Sequence, residues 1–494
     1  MIALTIGMPV GIERVLLLVF GLAGVLGFIS VAQENHWGRT VAAVVHAAGG
    51  VLAVLSSDLI MLLISWEILT FAAFFVIRTA PSQAPLPGRV YVGASRSADA
   101  AFWYVGAQIV GAVFFFVAIV IQSATTGSIA IDSLVPLAQP WITAAVIIKT
   151  AMIPLHGWLV SSYTAATPAS SVLLSAFTTK VGVLTAARLV EWTAIGFPLL
   201  SWIGGIVAVV AVACALVQAS ARRLLSFHII SQVGYMLVGV GLAGFHALGV
   251  TAGLFHAGNH IVYKALLFAV AALVIHRLGH DKLGQMGGLA RRMPFTFICC
   301  IIGAGAIAGV PFLSGYGSKE LLKLAAGYSV PMRLLNLATV GTGLSFIKFT
   351  YLIFLAPATG DAVVSPAPVT DGASQSVGRP TALLVATAVL ALLSVVFGIF
   401  PGWVSGVRDH AFFSPSAIWA GTQPLLLSVF LWVIFRNHLI AAVRRHRGER
   451  RMLRDTLLRA APPLFRVVLR AHAVDVQLAL GAVLTVVILL FVIW

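Results

Sequence analysis

Residues 147–183, IIKTAMIPLHGWLVSSYTAATPASSVLLSAFTTKVGV, place Lys149 and Lys180 in a stretch that is otherwise apolar or small and polar. Flanking residues extend it into two apolar spans, 141–163 and 169–190. Pro154 falls inside the first of these. Proline removes a backbone donor and clashes with the preceding turn, so the span at 141–163 reads as a broken helix. Backbone interrupted at membrane depth is tolerated only where it lines a cavity or is buried in protein. A charge at the bilayer centre costs at least ~2.5–3.5 kcal/mol on insertion scales, so a lysine beside such a break is a functional candidate by default.

The surroundings are those of a membrane protein. The 494 residues are 60% hydrophobic and 9% charged, with a mean hydropathy of +1.03, whereas soluble domains carry roughly 25% charged residues. The formal charge of +16 would suggest nucleic acid in a soluble protein, but its placement in loops reads as membrane topology, with no nucleic-acid partner. Cys214, Cys299 and Cys300 all lie in apolar spans without metal or disulfide spacing. Near the N-terminus, Arg14 precedes an apolar run with no clear cleavage site, so a transmembrane helix is expected there rather than a signal peptide.

Working outward, apolar helices are expected at 11–33, 39–56, 57–78, 98–122, 141–163, 169–190, 198–219, 223–243, 248–276, 294–328, 332–357, 381–401, 418–436 and 475–494, which makes about 14. The span at 294–328 is too long for one straight crossing and contains Gly309, Pro311, Gly315 and Gly317, so it too should be broken. Each break falls in the fourth helix of a group of five, 39–190 and 198–357. Two odd-numbered groups with matching broken helices point to inverted repeats. The fold class is therefore an all-α polytopic membrane protein with two inverted five-helix repeats. An N-terminal helix (1–38) precedes them. Additional helices (381–436), an Arg-rich interfacial linker (437–474) and a C-terminal helix (475–494) follow.

Basic residues test the topology. One set of loops holds 21 of the 31, including Arg39, Arg78, Arg222, Arg277 and ten arginines between 436 and 470; the other holds Arg14, Arg188, Arg333 and Arg408. The bias puts the richer loops in the cytoplasm. The six left over are lysines, all inside expected spans: Lys149, Lys180, Lys264, Lys319, Lys323 and Lys348. A desolvated lysine can release its proton, which arginine effectively cannot.

Other polar groups lie in the same spans. Glu67 is the acidic residue well inside the first group, and Lys319 sits beside the second break, at a place read as equivalent to that of Lys149. His256, His260 and Lys264 recur at four-residue steps and form one polar stripe of a helix, with His228 in the helix before. Structural readings stand beside these. Lys323 and Lys348 have the placement of anchors or buried ion pairs, and Glu320 of a neutralising partner for Lys319 or Lys323. His256 and His260 have ligand spacing but no third ligand nearby, which favours hydrated histidines over a metal site.

At these residues the chain resembles the antiporter-like family shared by Mrp-type cation/proton antiporters, respiratory complex I and membrane-bound hydrogenases. The matching stretches are SSDLIMLLISWEIL, the 147–183 segment, LLSFHIISQVGYMLVG, LFHAGNHIVYKALLF and MGGLARRMPF…GVPFLSGYGSKELL, within roughly residues 40–360. The resemblance implies that Glu67 pairs with Lys149, that Lys180 is the central connecting residue, and that Lys319 is the lysine of the second broken helix. It casts His228, His256, His260 and Lys264 as the hydrated axis between half-channels. Lysine at both 180 and 319 is most similar to the Mrp D-type and related hydrogenase subunits.

The implied function is proton or cation translocation in a multisubunit Mrp-type Na+/H+ antiporter of the inner (plasma) membrane. The implied partners are other membrane subunits, protons, sodium and lipid. Alternatives are the proton-pumping subunit of a complex I-like NADH:quinone oxidoreductase or hydrogenase, and a membrane subunit for inorganic-carbon uptake. No nucleotide, haem or iron–sulfur motif is evident, so no cofactor or metal is expected in this chain, and redox chemistry would belong to partner subunits.

Overall fold

The computed structural model describes residues 10–80, 97–131, 134–190, 198–357, 380–405 and 412–444. The expected C-terminal helix at 475–494, the Arg-rich stretch beyond 444 and most of the 79–97 loop lie outside the described residues. The helices are α1 (Val10–Ala32), α2 (Trp37–Leu55), α3 (Leu59–Arg78), α4 (Ser97–Thr126), α5 (Gln139–Lys149), α6 (Gly157–Ala165), α7 (Pro168–Leu174), α8 (Thr178–Val190) and α9 (Pro198–Leu216). There follow α10 (Ala221–Gly241), α11 (Gly249–Leu278), α12 (Pro294–Ala308), α13 (Ser314–Ala326), α14 (Val330–Thr350), α15 (Thr381–Ile399), α16 (Pro401–Ser405) and α17 (Pro415–Arg444). Among the described residues, eleven spans are long and apolar enough to cross a membrane, the fifth formed by α7 and α8 together. The protein is a multi-pass, all-helical membrane protein.

The centre is unusual in being polar and sealed. Every residue of α10 except Arg223 is buried, as is α11 from Gly249 to Ile275. By contrast α17 leaves Leu426, Phe430 and Val433 exposed, as a helix facing lipid or another chain does. Polar side chains in the sealed centre therefore have no bulk water to fall back on.

Both expected breaks are present. The first runs from Thr150 to His156, between α5 and α6, with Pro154 lacking its donor and Ala151 in the left-handed region. Trp158 Nε1 and Ala151 N each donate to the carbonyl of Ile148 at 3.1 Å. The second runs from Gly309 to Leu313, between α12 and α13, and Gly309 takes φ +90, a conformation open to glycine.

A third break was not expected. The span read as 169–190 is two helices, with a turn at Ser175–Phe177. No glycine or proline marks it; side chains do. Tyr163 Oη donates to Leu174 O at 2.6 Å and Lys180 Nζ to Ser175 O at 2.5 Å, satisfying carbonyls that would otherwise continue the helix.

Two constructions recur in residues 37–190 and 198–355. Asp58 caps the start of α3 and bridges antiparallel to Ala130, after α4; Ser220 caps α10 and bridges to Lys282, after α11. At the far end, a basic residue in the last turn of α8 or α14 holds the last carbonyls of α2 or α9. Arg188 donates to Ala53 O (3.2 Å) and Ser56 O (2.5 Å). Lys348 donates to Leu216 O (2.5 Å), Ala215 O (3.4 Å) and Gln218 O (3.4 Å). A cation at a helix C-terminus satisfies orphan carbonyls and the negative end of the helix dipole. Arg188, read from sequence as a loop residue, is thus fully buried, and Lys348 is a cap rather than a lipid-facing anchor. The sequence reading missed both because capping depends on a helix distant in the chain.

Candidate functional site

The first group of charges lies where α3 meets the first break. Lys149 ends α5, where the helix stops, and its side chain is buried. Its Nζ donates to Thr70 Oγ1 (3.3 Å) and Trp66 O (3.4 Å), and lies 4.7 Å from the centre of the Trp66 ring. These contacts bracket Glu67 along α3, but Lys149 and Glu67 form no ion pair within 4.0 Å. The pairing implied by the resemblance is therefore a neighbourhood rather than a contact. Glu67 Oε1 is buried without a hydrogen-bond partner. The same residue lines an apolar groove of about 770 Å³ between α2 and α3, beside Val41, Ile64 and Phe71.

Lys180 comes next in the chain. It stands in the first turn of α8, and among the described residues its acceptor is Ser175 O. Across the middle of the molecule, α10 and α11 present a run of polar groups. His228 Nε2 meets Ser345 Oγ at 2.8 Å, while its Nδ1 has no partner. His256 bridges Gln232 Oε1 (3.1 Å) and Ser318 Oγ (2.9 Å), tying α10 to α13 one residue before Lys319. Among the described residues, neither nitrogen of His260 has a hydrogen-bond partner, nor does Lys264 Nζ or either polar atom of the Asn259 amide. Lys264 Nζ faces the rings of Phe268 and Phe346, each 5.8 Å away.

The stripe expected on α11 is therefore divided by function: His256 is fixed, whereas His260 and Lys264 are not. A buried polar group without a partner costs about 1–3 kcal/mol, and more when charged. Neighbouring examples on one helix pair, to which Gln232 Nε2 also belongs, are therefore unexplained by packing alone.

The second group surrounds Lys319. Its position relative to the break is not that of Lys149: Lys149 precedes its break, and Lys319 follows its own by more than a turn. Its side chain reaches back, so that Nζ donates to Ile307 O (2.9 Å) and Ala308 O (3.1 Å), the last carbonyls of α12. Gly309 makes room, because a Cβ there would come 3.0 Å from Lys319 Cδ. Glu320 bonds to Lys323 at 2.6 Å rather than to Lys319.

Sequence reasoning passed over three buried polar residues. His46 on α2 places Nδ1 3.0 Å from Leu69 O, two residues beyond Glu67, which makes Nδ1 the donor and leaves Nε2 unpartnered. Gln108 on α4 is buried with its amide unpartnered. Arg188 is described above. A lone His or Gln in an apolar span was the only available signal. Among the described residues, no group of three or more His, Cys, Asp or Glu has a metal-holding arrangement.

Interrupted helices with buried lysines around a sealed polar axis define a class of polytopic membrane protein with candidate functional charges in its core. The family described as "NADH:quinone oxidoreductase/Mrp antiporter, TM" matches residues 56–345, more than half the sequence, and the chain belongs to that family, the antiporter-like membrane subunits. Hydrogenase-4 component B of Escherichia coli is 30% identical over 343 residues, 61% of this chain and 49% of that one. NADH-ubiquinone oxidoreductase chain 5 of Rhizopus stolonifer is 29% identical over 297 residues, 57% and 43% of the two chains. The chain thus spans less than half the length of these relatives.

Among solved structures, the fold is similar to a chain of the Mrp complex from Dietzia sp. DQ12-45-1b. The TM-score is 0.68 and the identity 22%, covering 88% of this chain and 85% of that one. It is also similar to a chain of a membrane-bound sulfane sulfur reductase, an archaeal respiratory membrane complex. There the TM-score is 0.69 and the identity 24%, covering 87% and 73%.

Proposed function

We propose that the chain translocates protons along a path from Glu67 and Lys149 through Lys180 and the α10–α11 axis to Lys319, as one membrane subunit of a multisubunit Mrp-type cation/proton antiporter in the plasma membrane. The observation that carries this reading is the unpartnered run His228 Nδ1, Asn259, His260 and Lys264 Nζ, all buried between the two broken helices. Fixed hydrogen bonds would hold a proton in place. Groups without them need mobile partners, and bound water is the partner that also conducts. The recurring bridges and caps support reading residues 39–190 and 198–357 as inverted repeats, with the axis at their interface.

Lys149 is held weakly, by a hydroxyl and one carbonyl at 3.3–3.4 Å, next to an unpaired carboxylate. An ammonium out of water gives up its proton more readily, and a nearby carboxylate opposes that. A small movement of α3 against α5 therefore switches Lys149 between holding and releasing a proton. The mutual extent of the fold match, 88% and 85%, favours the Mrp-type parent. The similarity to hydrogenase-4 component B supports a redox-driven complex as the second reading. In that case the electron chemistry belongs to other subunits.

In everted vesicles, Glu67→Ala and Lys149→Ala are expected to abolish coupled transport while the complex still assembles. Normal flux in either variant contradicts the path. Topology is tested separately by an impermeant thiol reagent. Cysteines introduced in 79–97, 277–293 and near 450 should be labelled from the cytoplasmic side, and external labelling near 450 contradicts the orientation.

A further inference from the structure

Pro424 lies inside α17. Having no N–H, it leaves the carbonyl four residues earlier, Ala420 O, without its helical donor. Lys323 supplies one, because its Nζ donates to Ala420 O at 3.2 Å while also bonding Glu320 Oε1 at 2.6 Å. Gly421 lets α17 come this close: a Cβ there would lie 2.6 Å from Tyr316 Cε2 and 3.2 Å from Glu320 Oε1. A cavity of about 10 Å³, room for roughly one water, lies against Lys319, Glu320, Lys323, Asn336, Tyr235 and Pro424. Among the described residues, Glu320 and Glu67 are the acidic side chains beside the broken-helix lysines, and Glu320 makes no ion pair with Lys319 within 4.0 Å.

We propose that Lys323 and Pro424 are positioning residues for the second broken-helix site. Together they hold Glu320 across a one-water cavity from Lys319. The inference rests on the translocation reading above. In this arrangement an N–H bond of Lys319 breaks, the intervening water accepts that proton and passes one of its own on, and an O–H bond forms on the Glu320 carboxylate. Without the clasp, Glu320 is free to swing onto Lys319 and pair with its charge directly, which holds the proton in place.

The test uses everted vesicles carrying the full chain with its native partner subunits, and reads flux with a pH-sensitive dye at matched assembly. Pro424→Ala restores a helical donor to Ala420 O. On helix propensity alone this change is neutral or stabilising, so a merely structural clasp predicts undiminished flux. The proposal instead predicts a fall of about tenfold, the scale of one lost charge-assisted hydrogen bond. Lys323→Gln should fall equally, Lys323→Arg should recover most of the flux, and Pro424→Ala with Lys323→Gln should be no worse than either alone.

Wild-type flux in Pro424→Ala, or multiplying losses in the double variant, overturns the clasp. If Pro424→Ala does not assemble, the Gln and Arg variants at 323 decide, and equal flux in those two overturns it. Glu67→Gln, run alongside, separates the two claims. Survival of flux there overturns the translocation path itself, whereas a dead Glu67→Gln beside a normal Pro424→Ala overturns only the clasp.

Discussion

Lys348 and Lys264 are both fully buried, yet their surroundings are opposite. An ammonium has three donors. Lys348 places its donors on three carbonyls at the end of α9, whereas Lys264 has two aromatic rings and, among the described residues, no hydrogen-bond acceptor. Four other buried cations fall between. Among the described residues, Arg188 and Lys319 each donate to at least two carbonyls, Lys149 to a carbonyl and a hydroxyl, and Lys180 to a carbonyl. Acceptor number grades these cations: Lys264 and Lys180, with the fewest, lie on the proposed proton path, Lys348, with the most, braces a helix end, and Arg188, Lys319 and Lys149 stand in the middle. Burial alone does not grade them.

The comparison breaks first at Lys180. Arginine keeps the charge but cannot release its proton, so Lys180→Arg should assemble and lose flux by on the order of 10², the scale of a lost acid–base group. Next comes Lys348→Ala, which leaves the α9 carbonyls uncapped. Its expected effect is a loss of about 1.5–3 kcal/mol, read as a lower Tm of the extracted complex, with flux per assembled complex little changed. Lys319 is the intermediate case, bonded like a cap yet set beside a cavity. Lys319→Arg should therefore lose about tenfold, since part of its role is to hold the end of α12 and an arginine can do that. Flux as low as in Lys180→Arg would move Lys319 fully into the relay. The smallest flux effect is expected for Arg188→Lys, near wild type, with a stability loss of about 0.5–1.5 kcal/mol as one of the forked hydrogen bonds is given up. A large flux loss there would mean that acceptor number does not sort these residues.

Much of the architecture was legible because it rests on local signals. Pro154 and the glycine-rich 309–317 segment mark two breaks by their own backbone chemistry. Lys149, Lys180, Lys264 and Lys319 stand out because a charge in an apolar span is costly. What was hidden depends on partners distant in sequence. The break at 175–177 is made by Tyr163 and Lys180 taking carbonyls, not by a helix-breaking residue. Arg188 and Lys348 carry no local sign of which helix end they cap. The shared position assigned to Lys149 and Lys319 also failed on geometry, because a side chain as long as lysine reaches a break from either side. Glu320 and Lys323, read as neutralising or anchoring, acquire a role only once α17 is seen to bring a proline-freed carbonyl to them.

The most direct test sets Lys264→Arg beside Lys348→Arg in the same everted vesicles, with proton flux measured by a pH-sensitive dye and normalised to assembled complex. The two substitutions are chemically identical and both sites are sealed from water. Loss of most flux in Lys264→Arg with near-normal flux in Lys348→Arg is the predicted result; equal flux in the two variants, whether high or low, would contradict a proton path along the α10–α11 axis.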